Sequence, residues 1–426
     1  MSKLRERRTK DSPAAEGSSN RRFHYGWIVI AMGLLTTIGA HGLGRFAYSM
    51  INPSMIDGLG LSYTQVGNLA AGNFIGYLVL ATIGGFLAAR FGPRIVISLS
   101  LAGMGITMIL TGLARTYEFA LAMRTLTGLG NGGAFVPAMA LGSIWFSAKK
   151  RGLATGIVTA GIGIGFALSG LIVPPILSAY GAAGWRSCWY YLGVIVIILA
   201  GVTYGFIRNR PDELGLRQIG AGDIEAEGEK QKAKGFEWSK VYRIASVWHL
   251  GIVYFLFGFS YIIYINFFAT YLVKEIGWTS GEAGRLFTFL GILSIFCGLI
   301  WGGISDIIGR KGGAALAYIA LAIAYGIFAV FPSSTAFYVS AVFFGLTAWA
   351  IPTIMAAAAG DYVGPRLAPA GLGLITLFFG IGQAIGPSIG GFLADQRGSF
   401  ALSFLLAMAV SLLGTAGALT LRRPKN

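Results

Sequence analysis

Residues 302–311 read GGISDIIGRK, a short polar turn between two long apolar stretches. A related turn, GFLAARFGPR, occupies residues 85–94 and also separates two apolar stretches. A shift of 217 residues superimposes the two turns, and the same shift aligns Gly128 with Gly345. A register that persists over this distance indicates an internal duplication, so we expect two structurally similar halves.

The composition is that of a protein embedded in a membrane. Hydrophobic residues make up 55% of the 426-residue chain and charged residues only 12%, whereas about a quarter of a soluble domain is charged. Each apolar stretch is close to the roughly 20 residues that cross a bilayer as a helix. We therefore predict an all-α integral membrane protein with twelve spans, at about residues 25–50, 63–88, 94–114, 118–146, 152–179, 186–208, 245–273, 281–305, 311–331, 335–360, 369–394 and 400–421.

The duplication and the spans together predict two pseudo-symmetric six-helix bundles, residues 24–208 and 243–422. Such repeated halves are one architecture of membrane transporters, with the substrate site between them near the middle of the bilayer. A charged segment, residues 209–242, would join the bundles as a cytoplasmic linker. We expect residues 1–23 to form a disordered basic tail, because they are polar and charged, and residues 423–426 to form a short cytoplasmic tail.

The Lys and Arg residues are distributed unevenly among the loops. Most of the 33 lie in the N-terminal tail, the central segment, the C-terminus and alternate short loops. This positive-inside pattern predicts that both termini are cytoplasmic, in a multi-pass protein of a cell membrane, here a bacterial inner membrane. The net charge of +16 therefore reflects membrane topology, and we expect no nucleic-acid partner.

Several other classes of protein are disfavoured. The two cysteines, Cys188 and Cys297, both fall in predicted spans, so we expect no disulfide, no metal site and no cofactor. No short apolar segment with a cleavage site precedes the first span, so we expect no removable signal peptide. An enzyme is disfavoured because the predicted spans show no constellation of His, Asp and Glu and no pair of a nucleophile with a base.

The two polar turns resemble the cytoplasmic loop signature of the major facilitator superfamily, G-x-x-x-D-R-x-G-R-R/K. The second turn has Ile307 in place of the first arginine, and the first turn has Ala89 in place of the aspartate. The resemblance implies the major facilitator fold, with transport by alternating access between two rocking halves. It also implies a gating function for the charged residues of the turns, Arg90, Arg94, Asp306, Arg310 and Lys311.

Further motifs extend this resemblance over nearly the whole membrane part. Arg124, Gly128 and Gly130 in the fourth span resemble the superfamily motif that is linked to coupling, which makes Arg124 a candidate coupling residue. A structural arginine bonded to backbone carbonyls is an equally good interpretation. The GRFAY run of residues 44–48 and the AGR run of residues 283–285 resemble the YbfB/YjiJ-type transporters.

A second, competing resemblance is to the monocarboxylate and oxalate/formate transporters. It rests on the GW pair at residues 26–27 and the RGLATG run at residues 151–156. The monocarboxylate family also carries a basic residue near the position of Arg45. The chain departs from that family in the eighth span, where Ile295 and Leu299 replace a deep Asp and Arg.

The first span contains an arginine, Arg45, although a charged side chain in hydrocarbon costs at least about 2.5–3.5 kcal/mol. His41, Arg45 and Tyr48 have the spacing i, i+4, i+7, so they would share one face of an α-helix. Tyr261 and Tyr264 occupy the corresponding positions of the seventh span. We expect both faces to line a central cavity; packing against a neighbouring helix is the alternative for the aromatic stripe of the seventh span.

Charges within the spans favour an anionic substrate. Arg45, Arg124 and Arg285 are the candidate cavity cations, and no Asp or Glu lies deep in a predicted span. A cation carrier would be expected to place a carboxylate in its substrate site. A planar guanidinium matches both oxygens of a carboxylate. Alternatively, Arg45 or Arg285 reaches the membrane interface, or Arg285 pairs with Glu282. The predicted substrate site consists of Arg45, Tyr48, Tyr261, Tyr264, Asn266 and Arg285.

His41 is a candidate coupling residue because histidine titrates near neutral pH. The charge of Arg45 opposes protonation of His41, and an arriving anion would offset this effect. The pair therefore provides a hypothesis for proton symport. A neutral histidine that donates one hydrogen bond inside the bundle is equally consistent with the sequence.

The sequence thus predicts a secondary active transporter of a small organic anion, a mono- or dicarboxylate, with protons as the candidate coupling ion. We expect it to act as a monomer in the lipid bilayer. Efflux of drugs or neutral metabolites, which the aromatic stripe would suit, and anion exchange are the alternatives. A substrate sensor with a transporter fold would need a large soluble segment, and the central segment has only about 30 residues.

Overall fold

The computed structural model describes residues 23–220, 241–364 and 367–421. Ten helical segments in these ranges are long and apolar enough to cross a membrane; one of them, Ala148–Phe206, contains two helices joined by a turn, and the helix Tyr117–Trp145 is not among the ten. A 51-residue segment, Ser280–Val330, breaks at Gly309 into α8 and α9. The described chain forms twelve long helices: α1 (Gly26–Leu59), α2 (Tyr63–Phe91), α3 (Pro93–Gly112), α4 (Tyr117–Trp145), α5 (Ala148–Tyr180), α6 (Gly184–Phe206), α7 (Ala245–Glu275), α8 (280–308), α9 (310–330), α10 (Ser334–Val363), α11 (Ala368–Arg397) and α12 (Ala401–Leu419).

Helix α1 differs from its prediction in length and in form. It continues past residue 50 to Leu59, although Pro53 inside it removes one backbone hydrogen bond. Its centre, Ile38–Phe46, is a π-helix between two α-helical parts. A π-helix bonds from i to i+5 and holds more residues per turn, and such segments are frequent at functional sites.

The duplication predicted from the sequence is present in the turns. Both copies use a capping box at the start of their second helix, Ser62 with Gln65 in α2 and Thr279 with Glu282 in α8. Glycines with positive φ, a conformation that other residues rarely adopt, also recur at the spacing of 217 residues. These pairs are Gly60 and Gly277, Gly92 and Gly309, and Gly181 and Gly398.

The two halves meet through close helix–helix contacts of α2 with α11 and of α5 with α8. A Cβ atom on Gly67 of α2 would lie 2.1 Å from the carbonyl oxygen of Pro387 in α11. A Cβ atom on Gly170 of α5 would lie 2.5 Å from the carbonyl oxygen of Gly284 in α8. Glycine is therefore required at these positions, since only backbone without side chains can approach so closely.

Polar contacts reinforce the end of the molecule opposite the described termini, here named the far end. Lys274 at the end of α7 forms an ion pair with Asp57 of α1. Asp395 of α11 accepts hydrogen bonds from the backbone N–H groups of Tyr63 (2.9 Å) and Thr64 (2.8 Å), at the positive N-terminus of α2. The two halves are thus joined at the far end by charge as well as by packing.

The first part of the predicted linker packs against the N-terminal half. The Ile219 N–H donates to the Trp145 carbonyl (2.9 Å), and the Ser147 N–H donates to the Ile219 carbonyl (3.0 Å). Residues 221–240 of the linker lie outside the described residues. The predicted tails, residues 1–23 and 423–426, also lie outside them, with the exception of Phe23.

Replacing Gly67 with alanine is expected to destabilise the protein by about 1–3 kcal/mol, the usual cost of overpacking. The obstructing atom belongs to the backbone of α11, so it has no flexible side chain that could move away. Gly85→Ala is the matched control on the same helix, since a Cβ there has open space around it. Thermal melting of the purified variants measures the difference; equal melting temperatures would contradict the described packing of α2 on α11.

Candidate functional site

A small cavity, with room for about one water molecule, lies between α1, α2, α4 and α7. None of the residues that line it in the described structure is an Asp or Glu, and two are arginines. Among the described residues, no group of three His, Cys, Asp or Glu side chains could hold a metal ion. The polar part of the lining consists of Arg45, Tyr48, Ser49, Asn73, Arg124 and Asn266.

Arg45 is held by the opposite half of the molecule. Its Nη2 donates a hydrogen bond to Oε1 of Gln383 in α11, and the hydroxyl of Tyr261 in α7 donates to the same oxygen. The guanidinium carbon also lies 4.5 Å from the ring centroid of Phe74, within cation–π distance. Arg45 is about 20 Å from the far end of α1 at 1.5 Å per residue, and its contacts point inward, so it does not extend to the interface.

Arg124 is almost fully enclosed, with 1% of its surface exposed. Its Nη1 donates to the Gly44 carbonyl (2.9 Å), and its guanidinium carbon lies 4.6 Å from the ring of Tyr48 and 4.9 Å from the ring of Trp189. The amide of Asn73 in turn donates to the Arg124 carbonyl (2.9 Å). Arg124 therefore combines a cavity position with the structural hydrogen bond that the sequence left as an alternative.

The π-helical part of α1, Ile38–Phe46, presents carbonyl oxygens to its neighbours. The Gly44 carbonyl accepts from Arg124, and the Ala40 carbonyl accepts from the Asn131 amide (2.6 Å). Buried carbonyls without partners are costly. The polar side chains of α4 therefore stabilise the unusual helix next to the cavity.

His41 lies beside the cavity and outside its lining. Its ring centroid is 4.1 Å from that of Phe135 and 5.8 Å from that of Tyr77. The guanidinium carbon of Arg45 approaches the same Tyr77 ring at 5.7 Å. His41 and Arg45 therefore meet at the same aromatic ring, although Arg45 lines the cavity and His41 does not.

Tyr48 and Asn266 both line the cavity, as the sequence predicts. The Tyr48 hydroxyl donates to the Val66 carbonyl (2.9 Å), which fixes the ring against Arg124. The Asn266 carbonyl accepts from the Asn52 amide (3.0 Å). The side-chain Nδ2 of Asn266 is buried and makes no hydrogen bond with the described residues, so this donor is available to a ligand.

The two tyrosines of α7 have different environments. Tyr261 reaches the site indirectly, through its hydrogen bond to Gln383. Tyr264 does not line the cavity: its hydroxyl is 2.9 Å from the Ser340 hydroxyl, and its ring stacks on Phe344 with centroids 4.5 Å apart. The predicted substrate contact of Tyr264 is therefore corrected, because its ring and its hydroxyl both find partners inside the C-terminal half.

Arg285 is also placed away from the cavity. It is exposed on α8 near the far end, next to the capping box in which Glu282 accepts from the Thr279 N–H (2.8 Å). Neighbouring Gly284 faces α5, which directs Arg285 elsewhere. The predicted contact between Arg285 and substrate is not what the structure shows.

The turn between α8 and α9 carries a charge network. Arg310 pairs with Asp306, four residues earlier, and with Asp361 near the end of α10 (3.1 Å). Lys311 is exposed. Because these groups are all partly exposed, each ion pair contributes at most about 1 kcal/mol. Gating by this turn remains a prediction.

The turn between α2 and α3 lacks the aspartate and is fixed differently. Arg94 donates from Nε to the Tyr204 carbonyl (2.7 Å), and its guanidinium carbon lies 4.3 Å from the Tyr204 ring. The Arg94 N–H donates to Asn209 (3.0 Å), where the predicted linker begins. Arg90 is exposed. A gating function for Arg90 and Arg94 likewise remains a prediction.

Three buried amide side chains at the site were missed by sequence reasoning: Asn73, Asn131 and Gln383. Each stands in an apolar span, where an unsatisfied polar group costs free energy. The same argument that singled out Arg45 could have found them. It would not have identified their partners.

The fold is shared with a solved transporter. A bacterial homolog of the human lysosomal transporter Spinster, in an inward-facing and unoccupied conformation, has a TM-score of 0.73 at 19% identity; the alignment covers 94% of this chain and 99% of that chain. The twelve long helices of the described residues, in two related halves, thus have the major facilitator fold.

The family described as "Uncharacterised MFS-type transporter YbfB" matches residues 37–419, and the chain belongs to this family. It is a multi-pass membrane transporter and not an enzyme, and the YbfB-type resemblance is confirmed. The probable sulfoacetate transporter SauU of Cupriavidus necator is 28% identical over 403 residues, 88% of this chain and 89% of that protein. The hexuronate transporter of Bacillus subtilis is 26% identical over 402 residues, 90% of this chain and 91% of that protein.

Replacing Arg124 with leucine is expected to lower the free energy of unfolding by about 1–3 kcal/mol, because the buried Gly44 carbonyl loses its donor. Arg115→Leu makes the same chemical change at an exposed position and should alter stability by no more than about 0.5 kcal/mol. Thermal melting compares the two variants. An Arg124 variant as stable as the Arg115 variant would show that the hydrogen bond to α1 is not structural.

Proposed function

We propose that this protein transports a small organic anion bearing a carboxylate, by alternating access of the central cavity to the two sides of the membrane. The observation that carries the proposal is the lining of the cavity. It contains the guanidinium groups of Arg45 and Arg124, and no Asp or Glu occurs among its described residues. Positive charge that the protein leaves uncompensated in a low-dielectric site attracts an anion.

The geometry of Arg45 suits a carboxylate. A guanidinium carries five N–H donors in a planar fork, and the hydrogen bond to Gln383 engages Nη2. Other donors of the fork can therefore face the cavity and bind both oxygens of a carboxylate. Asn266 contributes an unpaired amide donor to the same cavity. The proposed substrate site consists of Arg45, Tyr48 and Asn266. Tyr261 acts on this site through Gln383, and Arg124 adds a second positive charge to the lining of the cavity.

The relatives support an anion. SauU is named as a probable sulfoacetate transporter and the Bacillus subtilis protein as a hexuronate transporter. Sulfoacetate and hexuronates are different compounds, but each carries a carboxylate group. A site that binds the carboxylate and accommodates different groups on the rest of the substrate is compatible with both compounds.

The distribution of Lys and Arg supports a bacterial inner-membrane protein with both termini in the cytoplasm. In this orientation the far end, where α2 meets α11 and Lys274 meets Asp57, faces the outside. The described contacts then close the outer side of the cavity. Transport requires the two halves, which we assign to residues 24–208 and 243–422, to separate there and to approach each other at the cytoplasmic side.

Proton symport is the coupling that we propose. His41 is 5% exposed and its Nδ1 makes no hydrogen bond with the described residues, which leaves a site for a proton beside the cavity. Arg45 and His41 contact the same ring, Tyr77. An anion on Arg45 would reduce the repulsion between that arginine and a protonated His41, and so favour joint binding.

Replacing Arg45 with alanine is expected to reduce uptake of radiolabelled glucuronate or sulfoacetate into proteoliposomes by about 10- to 100-fold, the equivalent of losing a charged hydrogen bond. Arg45→Lys should retain part of the activity, because lysine keeps the charge and loses the fork. Arg285→Ala is the matched control and should transport normally, since Arg285 is exposed outside the cavity. Undiminished uptake by the Arg45→Ala variant would exclude this arginine from the site.

Replacing His41 with glutamine is expected to abolish the acceleration of uptake by an inward proton gradient, while uptake without a gradient continues. His249→Gln is the control, because His249 contacts the Gly417 carbonyl away from the cavity. Uptake is measured in proteoliposomes with and without a pH step. Exchange transport would be indicated instead if the unmodified protein ignores the gradient and requires an anion on the opposite side.

A further inference from the structure

Gln383 connects the candidate anion site to the C-terminal half. This residue of α11 is 1% exposed. Its Oε1 accepts hydrogen bonds from Nη2 of Arg45 and from the hydroxyl of Tyr261. Its Nε2 is buried and makes no hydrogen bond with the described residues. The amide is therefore held by its oxygen alone.

The amide oxygen stands where an oxygen of an anion could bind. Arginine only donates hydrogen bonds, so the group facing Nη2 must be an acceptor. A carboxylate oxygen would fit the same position and would accept a stronger, charge-assisted hydrogen bond than a neutral amide. The Gln383 oxygen accepts a hydrogen bond from Arg45, but the neutral amide does not compensate the positive charge of the arginine.

The contact also links the two halves near the middle of the membrane. Arg45 belongs to α1 and Gln383 to α11, 338 positions apart in the sequence. Alternating access moves the two halves relative to each other, so we expect this hydrogen bond to break during transport. A substrate that replaces Gln383 on Arg45 would lower the cost of breaking it.

We propose that Gln383 is a positioning residue of the anion site, an inference that rests on the proposed function. In the empty carrier the Gln383 oxygen holds the Arg45 guanidinium in place. An arriving anion takes over this position on Arg45, and α11 is released from α1. Gln383 thus acts as a neutral stand-in for the substrate oxygen.

Binding of sulfoacetate and glucuronate, measured by isothermal titration calorimetry, separates this role from simple packing. Gln383→Glu supplies a permanent internal anion and should weaken the affinity for both compounds by at least about 10-fold. Gln383→Met fills similar space without an acceptor oxygen, so affinity should stay within about 2-fold or increase up to about 10-fold. Gln396→Glu makes the same change at an exposed position of α11 and should bind normally.

If the amide is a stand-in, the Gln383→Glu variant therefore loses affinity and the Gln383→Met variant does not. A residue that only fills space would give a similar loss for both variants. Equal weakening by Glu and Met, or normal affinity of the Gln383→Glu variant, would overturn the proposal.

A double-mutant cycle without ligand tests the link itself. Gln383→Glu should raise the melting temperature by about 1–3 °C through its ion pair with Arg45. In an Arg45→Met background the same substitution should lower it, because the buried carboxylate has lost its partner. Additive effects would overturn the proposal.

The two measurements also distinguish this proposal from the proposed function. If neither compound binds the unmodified protein while the cycle shows coupling, carboxylate transport and displacement by an anion are both refuted, and only the link between Arg45 and Gln383 stands. If both compounds bind the unmodified protein and the cycle is additive, the anion site stands and the stand-in role fails.

Discussion

A guanidinium group in the middle of a membrane has to be satisfied by the protein, and this structure does so in two ways. Arg124 donates to a carbonyl of α1 and lies between two aromatic rings, so its contacts all come from the N-terminal half. Arg45 depends on a neutral amide oxygen from the opposite half. Because a charge in low dielectric is costly unless it is paired, Arg45 is the group that gains most from an anion supplied from outside.

The rest of the fold makes these contacts possible. The π-helical centre of α1 offers carbonyls that Arg124 and Asn131 bind, and its His41 packs against the ring of Phe135. Glycines such as Gly67 and Gly170 let the two halves approach until backbones touch. That proximity is what allows an arginine on α1 to reach a glutamine on α11.

Three residues of the predicted site were chosen because a polar group in an apolar span is costly. Arg45, Tyr48 and Asn266 stand out because polar groups in apolar spans need partners or water, and the structure places all three in the cavity lining. Tyr264 and Arg285 were misplaced for a common reason. Helical periodicity assigns a residue to a face, but it does not say which neighbour covers that face; here Phe344 and Ser340 cover Tyr264, and Arg285 is exposed.

The sequence by itself determined the membrane class, the twelve helices and the duplication, because span length, hydropathy and turn residues act over short distances along the chain. The glycines and capping boxes that repeat at 217 residues are local features of this kind. Only the tertiary structure decided which groups meet. Arg45 and Gln383 are 338 positions apart, and their contact depends on how helices of different halves pack, which no local pattern encodes.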